Sequence, residues 1–177
     1  MGMDEEIMII ADKIANDLKV NGITHVFTYA GGTVSFLIDA MERIGIKITI
    51  CRHEQACAFA ASAFSKSEIG LGCCIATSGP GALNLVTGIA DAYYDYTPML
   101  VIVGQCGSST IKPTDLTNRQ HGFQYTNITN VCESITAYTY EMIEYLPIVI
   151  EHAITLAKRD LAPSLISIPI DVQRSKI

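Results

Sequence analysis

Residues 71–104 read LGCCIATSGPGALNLVTGIADAYYDYTPMLVIVG. This stretch begins with an apolar run, passes through the glycine-rich loop Ser78–Gly81 and ends with a second apolar run, Met99–Val103. Strands that are apolar at every position are typical of parallel sheets buried on both faces. The stretch therefore predicts a strand at Leu71–Thr77, a helix at Ala82–Tyr93 and a second strand parallel to the first, which is the repeating unit of α/β folds.

The same alternation of strand and helix spacing extends along the rest of the chain. Helices are predicted at Asp4–Asn21, Ser35–Ile44, Ala56–Ser67 and from Pro147 to Lys158, and strands at Thr24–Tyr29, Lys47–Cys51 and Ser164–Ile168. Gly104–His121 has no clear period, and we expect a functional or mobile loop there. We expect a three-layer α/β/α fold, with a mostly parallel central sheet flanked by helices, in one domain over residues 1–177.

The composition excludes several classes of protein. Charged residues make up 17% of the 177 residues and the net charge is −6, so no basic face for nucleic acid is indicated. No apolar run approaches the ~18 residues of a membrane span. The acidic start Met1–Glu6 is unlike the basic start of a signal peptide. We expect a cytoplasmic protein.

The six cysteines do not form a metal-binding or disulfide pattern. Cys51 and Cys57 are five residues apart, Cys73 and Cys74 are adjacent, and no C-x-x-C pair occurs. The four histidines are equally scattered. We expect reduced, mostly buried thiols that act as small hydrophobes, and no metal site.

Three short segments are candidates for a ligand site because each directly follows a predicted strand. They are Ala30–Thr33, Arg52–Gln55 and Ser78–Gly81. Ligands of open parallel sheets bind beyond the carboxyl ends of the strands, and glycine lets backbone approach a ligand closely. Tight turns also need glycine. Neither of the two glycine loops, Ala30–Thr33 and Ser78–Gly81, matches a G-x-G-x-x-G or Walker fingerprint. Plain turn chemistry is therefore the simpler interpretation of each glycine loop taken alone.

Glu54 stands between a predicted strand and an alanine-rich helix. A carboxylate at that position gains from the positive end of the helix dipole and loses by desolvation. From position alone, a first-turn acid that complements the dipole is the simpler interpretation.

A longer series of residues favours a functional role for Glu54 over the simple helix-dipole interpretation. In chain order the series comprises Val26–Gly32, His53–Ala56 with Ala60-Ala61, Thr77–Asn84 with Gly88–Ala92, Asp95, Pro98, Gly104-Gln105, Phe123-Gln124, Ile168-Pro169 and Asp171–Gln173. With this series the chain resembles the N-terminal, pyrimidine-binding domain of thiamine diphosphate enzymes, in particular the acetolactate synthase branch. The resemblance covers essentially the whole chain in order.

The resemblance implies a role for Glu54. In such enzymes a glutamate at this position hydrogen-bonds N1′ of the aminopyrimidine of thiamine diphosphate, favours the imino form of the 4′-amino group and so promotes loss of the proton at thiazolium C2. This task requires a carboxyl group buried enough to hold or share a proton near neutral pH. The resemblance also implies that cofactor contacts come from Gly31, Gly32, Ser78, Gly79, Pro80, Gly81 and Asn84, and that Phe123 and Gln124 line the substrate approach.

The second half of the family's site, a Gly-Asp-Gly motif that holds Mg²⁺ and the diphosphate, does not occur in the 177 residues. The resemblance therefore implies that the chain is inactive without a diphosphate-binding domain and associates as a homo-oligomer, a dimer or higher. The chain is then an excised domain or the small subunit of a split 2-oxo acid decarboxylase. The start Met1-Gly2-Met3, and the end soon after Asp171–Gln173, favour excision.

Three departures leave the substrate open. Ala30 replaces the proline usual before the double glycine, Ile170 stands where acetohydroxyacid synthases commonly carry lysine, and Tyr125 stands where glutamate is common. We expect a carboligase or decarboxylase that acts on a 2-oxo acid such as pyruvate. The alternatives are a non-catalytic module kept for assembly or regulation and, from the fold pattern only, a generic Rossmann-like nucleotide binder.

Overall fold

A six-stranded parallel sheet forms the centre of the fold. The computed structural model describes residues 8–111 and 119–177. The strands are β1 His25–Tyr29, β2 Lys47–Ile50, β3 Gly72–Ala76, β4 Met99–Gln105, β5 Tyr138–Glu141 and β6 Pro163–Pro169. They lie in the order β2-β1-β3-β4-β6-β5, and each neighbouring pair is parallel. β3, β4 and β6 are buried along their whole length, as expected for central strands covered on both faces.

Helices cover both faces of the sheet. They are α1 Ile10–Val20, α2 Ser35–Arg43, α3 Glu54–Lys66, α4 Pro80–Asn84, α5 Val86–Tyr94, α6 Ile128–Cys132, α7 Ile148–Asp160 and α8 Ile170–Gln173. Successive strand side chains point to opposite faces, so Cys73 and Ile75 pack with α1, α2 and α7. Cys74 and Ala76 pack with α3, α4, α5 and α6 on the other face. The three-layer α/β/α fold is therefore confirmed.

Two helix predictions differ from the structure at the sites of interest. α3 begins at Glu54 rather than Ala56, because His53 caps the helix: its Nδ1 accepts a hydrogen bond from the Gln55 amide at 3.2 Å. The predicted helix Ala82–Tyr93 is two helices, α4 and α5, that meet at Leu85. Pro80 therefore lies in the first turn of α4 and not in a loop, a position that suits proline.

Other differences lie at the ends of the chain and in its second half. α1 begins at Ile10, and the earlier part of the predicted Asp4–Asn21 helix falls outside the described residues except for Met8 and Ile9. β4 runs on to Gln105, and a 3₁₀ turn forms at Ser108–Thr110, within the segment predicted as loop. Residues 112–118 of that segment also lie outside the description. α6 and β5 were not predicted from the sequence.

The cysteines are mostly buried, as predicted. All six thiols are free, and all are buried except Cys51, which is half-buried. Burial raises the pKa of the Cys73 and Cys74 thiols, so they remain protonated and pack as small apolar groups. Over the ranges 8–111 and 119–177, no helix has the length and apolar character to cross a membrane.

Candidate functional site

The three candidate segments lie side by side at the carboxyl edge of the sheet. They follow β1, β2 and β3, and β1 pairs with β2 on one side and with β3 on the other. The chain thus leaves β1 in one direction and returns past it to form β3, which makes a topological switch point between β1 and β3. Ligands of open α/β sheets bind at such a crevice.

Glu54 is a buried carboxyl group at this edge. It is the first residue of α3, and 6% of its surface is exposed. Asn84 at the end of α4 donates from Nδ2 to Glu54 Oε2 at 2.9 Å. Among the described residues, no hydrogen bond reaches the second oxygen, Oε1. One oxygen is therefore held by an amide while the other is available to a donor or acceptor from outside the chain.

The glycine loops pack too closely for larger residues. A Cβ on Gly31 would lie 2.5 Å from Thr77 Cβ, and one on Gly81 would lie 2.6 Å from Thr77 Cγ2 and 3.1 Å from Glu54 Oε1. Gly79 has a φ of 62°, and a Cβ there would lie 2.4 Å from the Gln124 carbonyl oxygen. Gly31, Gly79 and Gly81 are therefore each required by the packing of this chain alone.

At position 32, by contrast, the packing of the chain does not require glycine. Its φ is not positive, and a Cβ added to it would meet no atom within 4 Å. The residue is exposed and lines the open space at the carboxyl end of β1. Turn geometry and internal packing therefore do not account for this glycine.

Phe123 and Gln124 lie at the same crevice. A cavity of about 490 Å³ is lined by Gly31, Gly32, Thr33, Thr77, Ser78, Phe123, Gln124 and Ile170. Phe123 is 76% exposed, so it is not an ordinary core aromatic residue. The Ser78 hydroxyl is buried and has no hydrogen-bond partner within the described part of the chain. Such orphaned polar groups are rare in folded proteins and call for an explanation.

Gln105 does not line the cavity but hydrogen-bonds to the segment that follows Phe123 and Gln124. It is the last residue of β4 and is fully buried. Its Nε2 donates to the Thr126 carbonyl oxygen at 3.0 Å, and its Oε1 accepts from the Cys106 amide at 3.1 Å. The side chain therefore ties the residues that follow Gln124 to the end of a central strand.

The structure thus brings eight of the ten predicted site residues into two adjoining groups, while Gly79 packs against Gln124 and Pro80 begins α4. Gly31, Gly32, Ser78, Phe123 and Gln124 line the cavity, while Glu54, Gly81 and Asn84 lie together beside it. Thr77 joins the groups, because it lines the cavity and also contacts the Gly81 position. Sequence reasoning gave no specific role to Thr33, which lines the cavity, or to Gln173, whose Nε2 donates to the Thr33 carbonyl oxygen, although Thr33 ends a candidate segment and Gln173 ends a matched motif.

Cys57 lies in the first turn of α3, close to Glu54, but it is not a candidate nucleophile. Burial raises the pKa of its thiol far above the ordinary value, and the thiol donates to the His53 carbonyl oxygen at 3.4 Å. A thiol becomes nucleophilic as the thiolate, and Cys57 is held in the neutral form. Glu54 is the buried charged side chain among the described residues.

A parallel sheet with glycine loops and a buried carboxyl group at its carboxyl edge defines a ligand-binding α/β domain. Comparison with known families narrows this class. Residues 8–132 match the family described as "Thiamine pyrophosphate enzyme, N-terminal TPP binding domain". The chain belongs to this family.

Curated relatives agree with this assignment. The chain is 39% identical to acetolactate synthase 1, chloroplastic, from Zea mays over 168 residues, which cover 93% of the chain and 25% of the relative. It is 35% identical to the acetolactate synthase isozyme 2 large subunit of Escherichia coli (strain K12), covering 92% of the chain and 29% of the relative. The chain thus spans less than a third of the length of these relatives.

Proposed function

We propose that the chain supplies the pyrimidine-binding half of a thiamine diphosphate-dependent carboligase or decarboxylase that acts on a 2-oxo acid such as pyruvate. The observation that carries this proposal is the state of Glu54: it is buried, one of its oxygens is held by Asn84, and the other has no partner among the described residues. The named relatives, which are acetolactate synthases, support the reaction class.

The residues present fit an aminopyrimidine ring. A flat ring needs backbone that approaches without a Cβ, and Gly32 provides open space that packing does not explain. Gly81 leaves the Oε1 side of Glu54 clear, since a Cβ there would lie 3.1 Å from that atom. The unpartnered hydroxyl of Ser78 adds a hydrogen-bonding group at the cavity.

Each residue then has a defined task. When bound, thiamine diphosphate supplies the carbanion chemistry that the protein's own side chains lack. Glu54 would hold the ring nitrogen N1′ of the bound cofactor through Oε1, and its burial would limit the access of bulk water to this contact. Asn84 fixes Oε2 and so orients Oε1 towards the ligand. Phe123 and Gln124 border the approach of the substrate.

The second half of the site comes from elsewhere. Because no Gly-Asp-Gly motif occurs in the sequence, we assign Mg²⁺ and the diphosphate to a second domain, on the same polypeptide or on a partner subunit. The carboxyl edge carries exposed apolar side chains that such a domain would cover: Tyr29 is 46% exposed, Ile50 60% and Phe123 76%. The chain alone is then an incomplete catalytic unit, and the assembled enzyme is a dimer or higher oligomer.

The proposal is tested by combining the chain with a diphosphate-binding half and measuring thiamine-dependent release of CO₂ from pyruvate. We expect Glu54→Gln to lower the rate at least about a hundredfold, since general acid–base contacts contribute roughly 10² to 10⁴. Glu151→Gln is the matched control, because Glu151 lies in the first turn of α7 but is exposed.

Two outcomes would contradict the proposal. If Glu54→Gln keeps full activity while thiamine dependence is retained, the role assigned to Glu54 is wrong. If the wild-type assembly is stable but shows no thiamine-dependent activity with any 2-oxo acid, the chain is not part of such an enzyme. The alternative function, a non-catalytic assembly module, would then be favoured.

A further inference from the structure

Thr33 ends the first glycine loop of the site, and its hydroxyl forms hydrogen bonds with Thr77 and Ser78 of the second. We propose that Thr33 is a positioning residue whose hydroxyl sets the separation between the Gly31-Gly32 turn and the Ser78-Gly79 turn, and hence the shape of the ligand crevice. This proposal rests on the proposed function of the site and adds a residue to which no role in it has been given.

The hydroxyl of Thr33 makes two hydrogen bonds across the crevice floor. Its Oγ1 accepts from the Ser78 amide at 3.1 Å and pairs with the Thr77 hydroxyl at 2.8 Å. Thr33 follows β1 while Thr77 and Ser78 follow β3, so these bonds join the loops on the two sides of the switch point. No other side-chain hydrogen bond within the described ranges joins these two loops.

The backbone of Thr33 is fixed independently. Gln173 in α8 is fully buried, and its Nε2 donates to the Thr33 carbonyl oxygen at 2.7 Å and to the Ile168 carbonyl oxygen at 2.8 Å. On another side, a Cβ on Gly104 of β4 would lie 2.2 Å from that same Thr33 oxygen. The carbonyl is therefore held between α8 and β4, and the hydroxyl projects from a fixed point.

Because the two loops are tightly packed, a small change in their separation would alter the geometry of the ligand crevice. The Gly31 backbone packs so closely against the Thr77 side chain that a Cβ on Gly31 would lie 2.5 Å from Thr77 Cβ, so the loops have little room to move closer together. Beyond the end of the β1–β3 ladder, the Thr33 hydroxyl makes the side-chain hydrogen bonds that oppose movement in the opening direction among the described residues. Displacements of about 1 Å in a positioned site can cost two orders of magnitude in rate.

The test compares Thr33→Val, which removes the hydroxyl at nearly constant volume, with Thr33→Ser, which keeps it. In the assembled enzyme we expect Thr33→Val to raise the Kd for thiamine diphosphate about tenfold, as two lost hydrogen bonds of about 0.5 to 1.5 kcal/mol each imply. Thr33→Ser should bind like the wild type. Thr136→Val is the control, because the half-buried Thr136 donates one hydrogen bond, to the Cys132 carbonyl oxygen, away from the site.

A second readout needs no cofactor. In the 177-residue chain, amide hydrogen exchange at Ser78 should be about tenfold faster in Thr33→Val than in the wild type, and unchanged in Thr33→Ser and Thr136→Val. If Thr33→Val does not fold, Thr77→Val removes one of the two bonds and should give about threefold effects on both readouts.

The outcomes separate this proposal from the function on which it rests. Unchanged Ser78 exchange in Thr33→Val, or a loss of binding that Thr33→Ser does not rescue, would overturn the positioning role. Failure of the wild-type assembly to bind thiamine diphosphate would overturn the proposed function, while the exchange of the Ser78 amide would still decide whether Thr33 holds the loop.

Discussion

Gly32 lines the cavity and Gly79 packs against Gln124, which lines it too, yet the fold constrains the two glycines differently. Gly79 has a positive φ and no room for a Cβ, whereas Gly32 has an ordinary φ and open space around it. A glycine that the fold does not require is a stronger indication of a ligand than one that it does. The contrast provides a test that separates folding from binding.

We expect Gly32→Ala to leave the free energy of unfolding within about 0.5 kcal/mol of the wild type, since nothing in the fold opposes the added methyl group. The same methyl group would occupy ligand space and weaken thiamine diphosphate binding by the assembled enzyme about tenfold, as overpacking by 1 to 3 kcal/mol implies. Urea unfolding and calorimetric titration measure the two quantities.

Gly79→Ala is the matched comparison for this prediction. It should destabilise the chain by about 1 to 3 kcal/mol, because it forces a side chain into a strained conformation against the Gln124 carbonyl oxygen. Wild-type cofactor affinity in Gly32→Ala would show that the space beside Gly32 is not part of the site.

The positions of Glu54 and of the glycine loops along the chain could be predicted, because each follows a recognisable strand. The contact from Asn84 to Glu54 could not, since it joins residues 30 apart and depends on the break between α4 and α5. The exposure of Phe123 was equally inaccessible, because an aromatic residue has no periodic neighbours to assign its face in an irregular segment.

Among the helices, α3 and α5 set the geometry of Glu54 through their close packing. A Cβ on Gly88 of α5 would lie 2.5 Å from Ala58 Cβ of α3, and one on Gly72 of β3 would lie 1.9 Å from the Ala61 carbonyl oxygen. Small residues thus let α3 approach both its neighbours. The alanine-rich composition of α3, which is visible in the sequence, permits this close packing.

We expect Gly88→Ala to destabilise the chain by about 1 to 2 kcal/mol, with overpacking partly offset by the better helix propensity of alanine. The displacement of α5 should also lengthen the Asn84–Glu54 hydrogen bond and lower activity in the assembled enzyme. Denaturant unfolding measures the first effect. Thr87→Ala on the exposed side of the same helix is the control, and equal stability of the two variants would argue against a tight α3–α5 contact.

The ends and breaks of the helices were harder to predict than their existence. The start of α3 depends on a cap from His53, which is not among the strongly preferred capping residues. α6 is a five-residue helix and β5 a four-residue edge strand, so neither is long enough to show a clear period. Their formation depends on packing against β6, which the local sequence does not encode.

Over the whole molecule, Glu141 introduces a dependence of stability on pH. It ends the edge strand β5, and Ser167 Oγ donates to its Oε1 at 3.0 Å. Burial raises the pKa of this carboxyl group above its ordinary value of 4.5, although the Ser167 hydrogen bond acts in the opposite direction. Because the pKa of Glu141 is raised in the folded state, its contribution to the free energy of unfolding is complete below pH 4.5. This contribution is lost as the pH rises through the folded pKa.

Replacement of Glu141 by Gln should therefore remove this part of the pH dependence while retaining an acceptor for Ser167. We expect the stability of the wild type relative to Glu141→Gln to fall as the pH is raised from 4.5, as measured by urea unfolding at a series of pH values. Exposed Glu144→Gln controls for the loss of one negative charge. A wild-type advantage that grew with pH would contradict the assignment.

Proton exchange at thiazolium C2 tests whether the carboxyl group of Glu54 acts beside a bound aminopyrimidine. In the assembled enzyme with bound thiamine diphosphate, the exchange of this proton for deuterium can be followed by quenched-flow NMR for the wild type, Glu54→Gln and Glu151→Gln. We predict exchange at least about a hundredfold slower in Glu54→Gln and unchanged in Glu151→Gln. Exchange at the wild-type rate in Glu54→Gln, with the cofactor fully bound, would contradict the account.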